Sequence, residues 1–369
     1  MTPNPRVLQG FSLVAGLFVA LLTTAAPATA TAGDEESPLS VGAQVFTGWE
    51  GYWRGDDQFN EWELQRAEFQ GRWHHSADRF DAGLVLITEV VRSAGPRGFF
   101  GVDGDSLVAR GKQAWGFFQV PIGPIALEAR GGLVPDIWVH TLETPYDLRG
   151  LAATQAESAG FFDTSDLGAS VHLETWEERF HLAISLTNGE GRAQREQNPG
   201  KNLTATASLT AWRDADSELR FHLAGRDGSR GVSSSADHRA ALGATVVLPR
   251  FAMGTEATLA FGYEGRGDRE ALGAAGWVWL RPIDFAPGLA LRAEYFLPDR
   301  DLPDTHRTEV LSALYYDVLP PTTPSRLRAY LGYAHLTGGD LTGPLPGVPN
   351  AARQHTLFLR LELFFLHGV

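Results

Sequence analysis

From residue 43 onward the chain alternates between apolar side chains and polar or small ones, run after run, with turn residues between the runs. In 180–186, Phe180, Leu182, Ile184 and Leu186 alternate with His181, Ala183 and Ser185. Residues 203–211 set Leu203, Ala205, Ala207, Leu209 and Ala211 against Thr204, Thr206, Ser208 and Thr210. In 219–225, Leu219, Phe221 and Leu223 alternate with Arg220 and His222, and 257–263 places Ala257, Leu259, Phe261 and Tyr263 between Thr258, Ala260 and Gly262. The last run is the cleanest, with Leu357, Leu359, Leu361, Leu363 and Phe365 against Thr356, Arg360 and Glu362. A period of two belongs to a strand that meets a different medium on each face.

About 16 such segments follow one another, each near the 9–11 residues a tilted membrane strand needs. They run approximately over 43–54, 61–73, 80–91, 107–120, 125–133, 166–175, 179–188, 202–212, 218–226, 238–248, 255–265, 271–281, 288–297, 307–318, 326–335 and 355–365. The first two alternate poorly. No stretch carries the period of a long amphipathic helix, so the expected class is all-β.

Connection lengths carry a second signal. The odd-numbered connections include 92–106, 134–165, 189–201, 227–237 and 336–354, rich in Gly, Asp, Arg and Pro. Those near 55–60 and 266–270 are short. The even-numbered ones are mostly tight, as at His74 to Asp78, Pro121 to Pro124, Trp176 to Glu178 and Arg213 to Asp216. Long loops at one end and short turns at the other mark a transmembrane β-barrel whose long loops are extracellular. An even strand count then leaves both termini on the periplasmic side. Trp73, Trp176, Trp212, Trp279, Tyr316 and Phe365 each end a segment just before a short turn. Together they read as an aromatic girdle at one membrane–water interface.

Residues 1–32 carry one basic residue, Arg6, an apolar run from residue 11 to residue 22, and Ala28-Thr29-Ala30 and Ala30-Thr31-Ala32. That is the layout of a secretory signal peptide, and about 12 apolar residues fall short of the roughly 20 of a membrane-spanning helix. The expected organisation is a cleaved signal peptide at 1–32, a short lead at 33–42, and one outer-membrane barrel over 43–369.

The C-terminal run ending in Phe365 resembles the terminal assembly strand of outer-membrane barrels, although Leu366-His367-Gly368-Val369 follows the aromatic. Asp166-Leu167-Gly168 opening one strand, and Leu186-Thr187-Asn188-Gly189 closing the next, loosely resemble porins of the phosphate-selective O and P type. The resemblance implies a Gram-negative outer-membrane porin of 16 strands with a long third extracellular loop folded into the lumen. It also implies a homotrimer, a lumen lined by arginines and lysines, and passage of small hydrophilic solutes or anions. The loop after the fifth segment, 134–165, is the longest internal one and carries Asp136, Glu143, Asp147, Glu157 and Asp163, with Arg149 as its one base. On the wall, alternation directs Arg110, Lys112, Arg130, Arg220, Arg226, Arg239, Arg266, Arg292, Arg326, Arg328 and Arg360 toward the lumen. Glu128, Glu174, Glu256, Glu264, Glu294, Glu309, Asp317 and Glu362 share those faces. Loop acids facing wall arginines would set a field across the pore, and clusters of charge set ion preference. With only Lys112 and Lys201 in the chain, a lysine cluster is absent and the expected anion preference is weak or none.

Composition narrows the alternatives. The 369 residues contain no Cys, which removes disulfides, thiolate metal sites and Cys nucleophiles. The formal charge of -13 argues against a nucleic-acid partner. Its negative excess falls on Asp34-Glu35-Glu36 and the loops. The 11 His show no H-E-x-x-H spacing, His74-His75 sits at a turn, and Asp103-Gly104-Asp105 lacks the downstream Glu of a calcium loop. No catalytic constellation, metal site or cofactor site is expected, so an enzyme is not. The leading expectation is a passive diffusion channel in the outer membrane, in contact with its lipid. The alternative is a non-conducting barrel whose loops serve a structural or surface-interaction role.

Overall fold

A computed structural model describes residues 38–55, 57–92, 106–175, 177–192, 196–281, 286–319, 325–338 and 353–368. The segment read as a signal peptide, Asp103-Gly104-Asp105, Trp176 and most of two long connections lie outside the described residues. The strands are β1 (Leu39–Arg54), β2 (Asp57–Ala77), β3 (Phe80–Arg92), β4 (Leu107–Ile122), β5 (Ile125–Pro135), β6 (Ser165–Thr175), β7 (Phe180–Thr187) and β8 (Asn202–Asp214). They continue as β9 (Ser217–Asp227), β10 (His238–Leu248), β11 (Phe251–Phe261), β12 (Glu270–Leu280), β13 (Gly288–Leu297), β14 (Arg307–Asp317), β15 (Ser325–Gly338) and β16 (Arg353–Gly368). Each pairs antiparallel with its sequence neighbours, and β16 pairs with β1, so the ring is closed. A two-stranded ribbon, Ser229–Arg230 with Ser235–Ala236, sits in the connection after β9.

Burial along the strands is inverted relative to a water-soluble protein. On β8, Leu203 and Leu209 are exposed while Thr204, Thr206, Ser208 and Thr210 are buried. On β9, Leu223 is 62% exposed and its neighbour His222 only 4%. An apolar outer face and a polar inner face are what a barrel set in lipid requires, because hydrocarbon surrounds one side of every strand. Closure does the rest, since an open edge would leave backbone donors and acceptors unpaired in hydrocarbon.

Three boundaries differ from the sequence reading. β1 begins at Leu39, inside the expected lead, because Trp73 and Gly368 offer partners to Leu39 and Ser40. The tail after Phe365 is strand as well: Leu366, His367 and Gly368 pair with Gly42, Val41 and Ser40. β11 stops at Phe261, before the expected 265. Gly262 (φ 78°) and Gly265 (φ 70°) adopt left-handed backbone there, with Glu264 at φ 56° between them. Such geometry ends a strand. Arg266 and Glu264 therefore lie exposed in a turn, not on the lumen wall.

Irregular register explains why β2 alternates poorly, since the extra residue there is Gln65. Bulges interrupt β1–β2 at Phe46/Thr47 and β3–β4 at Ile87/Thr88, and each shifts the side-chain phase by one. Trp73, Trp212 and Tyr316 project outward near the short-turn end, and Phe365 shares the outward phase of β16. Trp279 does not join them. It shares the inward phase of Trp277 and packs against the interior cluster that contains Trp277 and Tyr330. Trp62, Phe261, Tyr295 and Tyr333 form a second exposed aromatic band toward the long-loop end. Two bands bracket the apolar zone.

The faces make opposite demands on charge. Leu223→Arg should lower barrel stability by about 2–4 kcal/mol in urea unfolding from lipid vesicles, the cost of a lipid-facing arginine near the midplane. Glu174→Arg, on an exposed inward position, should change it little.

Candidate functional site

The connection from β5 to β6 contains α1 (Ile137–Tyr146) and the single turn α2 (Gln155–Ser158). Asp136 caps α1 by accepting from the amides of Trp138 (2.9 Å) and Val139 (3.1 Å), and left-handed Asp147 (φ 41°) ends it. Arg239 on β10 donates to the Phe161 carbonyl (3.1 Å), Arg360 on β16 to that of Leu151, and Arg66 on β2 pairs with Glu157 (3.7 Å). One segment can reach β2, β10 and β16 together only from inside the ring.

Apolar packing holds this segment down. Trp138, Val139, Leu142, Ala156, Phe161 and Phe162 form one buried cluster with Ala224, Ala241, Ala260 and Ala271 of the wall. Tyr146, Leu148 and Leu151 form a second with Ala252, Ala290, Ala313 and Tyr330. Alanines leave the inner wall shallow where the helices lie. Gly150 and Gly273 mark close approaches: a Cβ on Gly150 would stand 2.7 Å from a Glu362 oxygen, and one on Gly273 would run into the Gln155 side-chain amide.

Electrostatics add specific anchors. Arg326 (2.5 Å) and Arg328 (3.2 Å) pair with Asp147, and Arg328 also holds Asp317 (2.5 Å). Arg226 pairs with Asp136 (2.6 Å), and the Glu256 carboxylate accepts from the amides of Gln155 (2.7 Å) and Ala156 (3.1 Å). Glu157 is held by Arg149 (2.9 Å), Glu143 also contacts Arg149, and Asp163 lies 3.7 Å from Arg192. Burial alone would raise the Asp147 carboxyl, but Arg328 and Arg326 outweigh it and hold it below the usual carboxylate range. At Asp136 burial prevails over Arg226 and the α1 amides and raises the carboxyl.

The remaining wall bases have partners too. Arg110 bonds Glu89 (2.7 Å), Lys112 bonds Glu68 (2.9 Å), and Arg130 bonds Glu128. Arg220 bonds Glu218 (3.0 Å), Arg239 bonds Asp237 (2.6 Å), Arg292 bonds Glu294 (2.6 Å) and Arg360 bonds Glu50 (2.7 Å). Acids therefore sit against bases, and the arrangement of loop acids separated across a gap from wall arginines is not what the structure has. The basic surplus that alternation suggests is offset by Glu50, Glu68 and Glu89, of which sequence reading counted none; Glu68 lies past the bulge on β2, while Glu50 and Glu89 keep the regular phase of β1 and β3. Beside the docked segment a cavity of about 300 Å³ remains, bordered by Glu50, Glu63, Arg66, Arg149 and Arg360. No group of three or more His, Asp or Glu side chains among the described residues is placed to hold a metal ion.

No family model and no curated sequence matches the chain. Solved structures do. The anion-selective porin from Comamonas acidovorans superposes with a TM-score of 0.59 at 12% identity, covering 90% of this chain and 100% of that one. The OmpF of Salmonella typhi, in its complex with daunomycin, gives 0.62 at 8% identity, covering 90% and 99%. The trimer form of OmpT from Vibrio cholerae gives 0.55 at 10% identity, covering 90% and 100%. The chain has the porin fold. At these identities the likeness concerns the path of the backbone, and what this porin fold does must be argued from its lumen.

Because the folded-state value of Asp147 lies below its unfolded one, its contribution to docking is full at neutral pH and fades as pH falls through the folded value. Asp136, with its raised value, contributes with the opposite sign. Corrected for intrinsic exchange, the protection of α1 amides should therefore be high at pH 7 and fall below about pH 4. Asp147→Asn should exchange faster already at pH 7, and unchanged protection in that variant would contradict the anchoring.

Proposed function

We propose that the chain is an outer-membrane porin, a water-filled channel through which small hydrophilic solutes and ions diffuse passively. The observation that carries this reading is the closed ring of sixteen strands, apolar outside and charged inside, with open space beside its inner segment. Rings of this size leave an aqueous channel, whereas small ones fill with side chains. The segment with α1 and α2 narrows that channel, and the cavity bordered by Glu50, Glu63 and Arg66 is the passage past it. Export by a signal peptide at 1–32 would deliver the chain to the periplasm with both termini on that side.

Ion preference on this reading is weak. Loop and wall carboxylates are tied to guanidinium groups at 2.5–3.8 Å, so little net field crosses the passage. A slight anion preference is consistent with the arginines Arg326, Arg328 and Arg360 along one wall. The purified, heat-modifiable barrel should give discrete conductance steps in planar bilayers. The reversal potential in a salt gradient should report an anion-to-cation permeability ratio within about threefold of unity. A folded barrel that gives no steps would favour the non-conducting structural role, and strong cation selectivity would overturn the anion leaning.

A homotrimer fits the outer surface. Gly71, Ala114, Gly116, Gly131 and Ala169 share the outward phase of β2–β6 and flatten it, and a groove of about 380 Å³ runs there between Trp73, Leu84 and Leu86. Leu84, Leu86 and Leu167 protrude around these small residues, much as Leu223, Leu242, Leu314 and Leu331 do on other outer faces. A face flattened at the small residues lets two barrels approach closely there. Native mass spectrometry in detergent should find three copies, and Gly116→Trp should shift the population to monomers.

A further inference from the structure

His172 on β6 and His181 on β7 both point into the lumen, in rows occupied on the neighbouring strands by Glu128 and Glu174. The Nδ1 atom of His172 stands 3.3 Å from Nε2 of His181, with the rings 5.4 Å apart and inclined by 29°. The other nitrogen of His172 is engaged, since Nε2 lies 2.9 Å from the Ser170 hydroxyl. Two imidazole nitrogens bound about 2.1 Å from one tetrahedral metal ion lie about 3.4 Å apart. We propose that His172 and His181 bind a first-row divalent transition-metal ion, Zn²⁺, Ni²⁺ or Cu²⁺, in the lumen.

Each ring turns one nitrogen toward the other ring, and Ser170 engages the far nitrogen of His172, as a second partner does for a metal-ligating histidine. Imidazole suits Zn²⁺, Ni²⁺ and Cu²⁺ better than it suits hard cations. The guanidinium groups nearby are already compensated: Arg130 bonds Glu128, and Arg220 bonds Glu218 and Thr210. Exposed Glu174, in register with His181, adds negative charge at the site. No third protein ligand is placed to complete a cage among the described residues, so water fills the remaining positions. A site with two protein ligands holds its ion loosely, as a site on a permeation route must.

The placement of this site on a permeation route rests on the channel reading, whereas binding itself does not, and the experiment separates the two. Calorimetric titration of the folded, heat-modifiable barrel with NiCl₂ at pH 7.5 should show a lumen site. His181→Ala should abolish it, and Ser170→Ala should weaken it about tenfold. A second histidine pair, His335 and His355, has its Nδ1 atoms 3.2 Å apart on the outer face near the long loops, so His335→Ala serves as the control. The lumen site should survive that change. Equal Ni²⁺ binding by the wild type and His181→Ala, or loss only in His335→Ala, would overturn the proposal. His181→Gln replaces the alanine variant if the latter fails to fold. In bilayers micromolar Ni²⁺ should reduce the wild-type current and leave that of His181→Ala unchanged. Binding with no effect on an otherwise normal current would remove the site from the permeation route while leaving the channel intact.

Discussion

The pairing of β16 with β1 is the constraint from which the rest follows. Hydrocarbon offers no partner to a backbone N–H or C=O, so a sheet in a bilayer must close on itself. Here the seam runs from Ser40 opposite Gly368 to Trp53 opposite His355 without a break in register. Closure fixes which side of each strand is inside. Once that is fixed, a side chain's neighbours are dictated by register, and a slip of one residue would exchange lipid-facing leucines for lumen-facing charges.

A ring of sixteen strands is too wide for its own side chains to fill, and the chain answers with the segment between β5 and β6. The inner wall of β9–β14 is built for it from alanines, which give up side-chain volume where Trp138, Phe161 and Tyr146 press in. This apolar strip sits among charges. The positional specificity comes from the arginines at its border, where Arg226 and Arg328 grip the two ends of α1 at Asp136 and Asp147. Truncating one such partner would leave a charge buried without compensation, which costs more than the pair itself contributes.

Strand number and order are legible in the sequence because alternation over 9–11 residues needs no knowledge of partners. Side-chain neighbours are not. Trp279 reads as a girdle residue from its place before a turn, yet its phase matches Trp277 and turns it inward. Arg266 and Glu264 read as lumen charges because alternation continues past Phe261. The glycines at 262 and 265 were the available signal that the strand ends there, since both adopt backbone that favours glycine. Glu68 was hidden by the bulge on β2, which shifts phase without leaving a mark in composition, whereas Glu50 and Glu89 sit on regular strands and only register shows which bases they meet. The His172–His181 pair was invisible for another reason: its members are nine residues apart on opposite arms of a hairpin, a spacing that means nothing until register is known.

Identities of 8–12% to barrels of the same backbone path show which features the bilayer selects. A lipid-facing position asks only for an apolar side chain, and a turn asks only for residues that can reverse the chain, so almost any sequence with the right period can satisfy them. The lumen is under a different rule. A carboxylate there acts on passing ions through whatever positive charge stands beside it, and at about 3 Å a guanidinium cancels most of its field beyond a few ångströms. Two barrels with the same fold and the same number of lumen charges can therefore differ in selectivity solely through pairing. In this chain the pairing is nearly complete, from Arg110 with Glu89 to Arg328 with Asp317. On the channel reading, the groups left to act on a solute include the imidazoles of His172 and His181, whose nitrogens face each other on the inner wall.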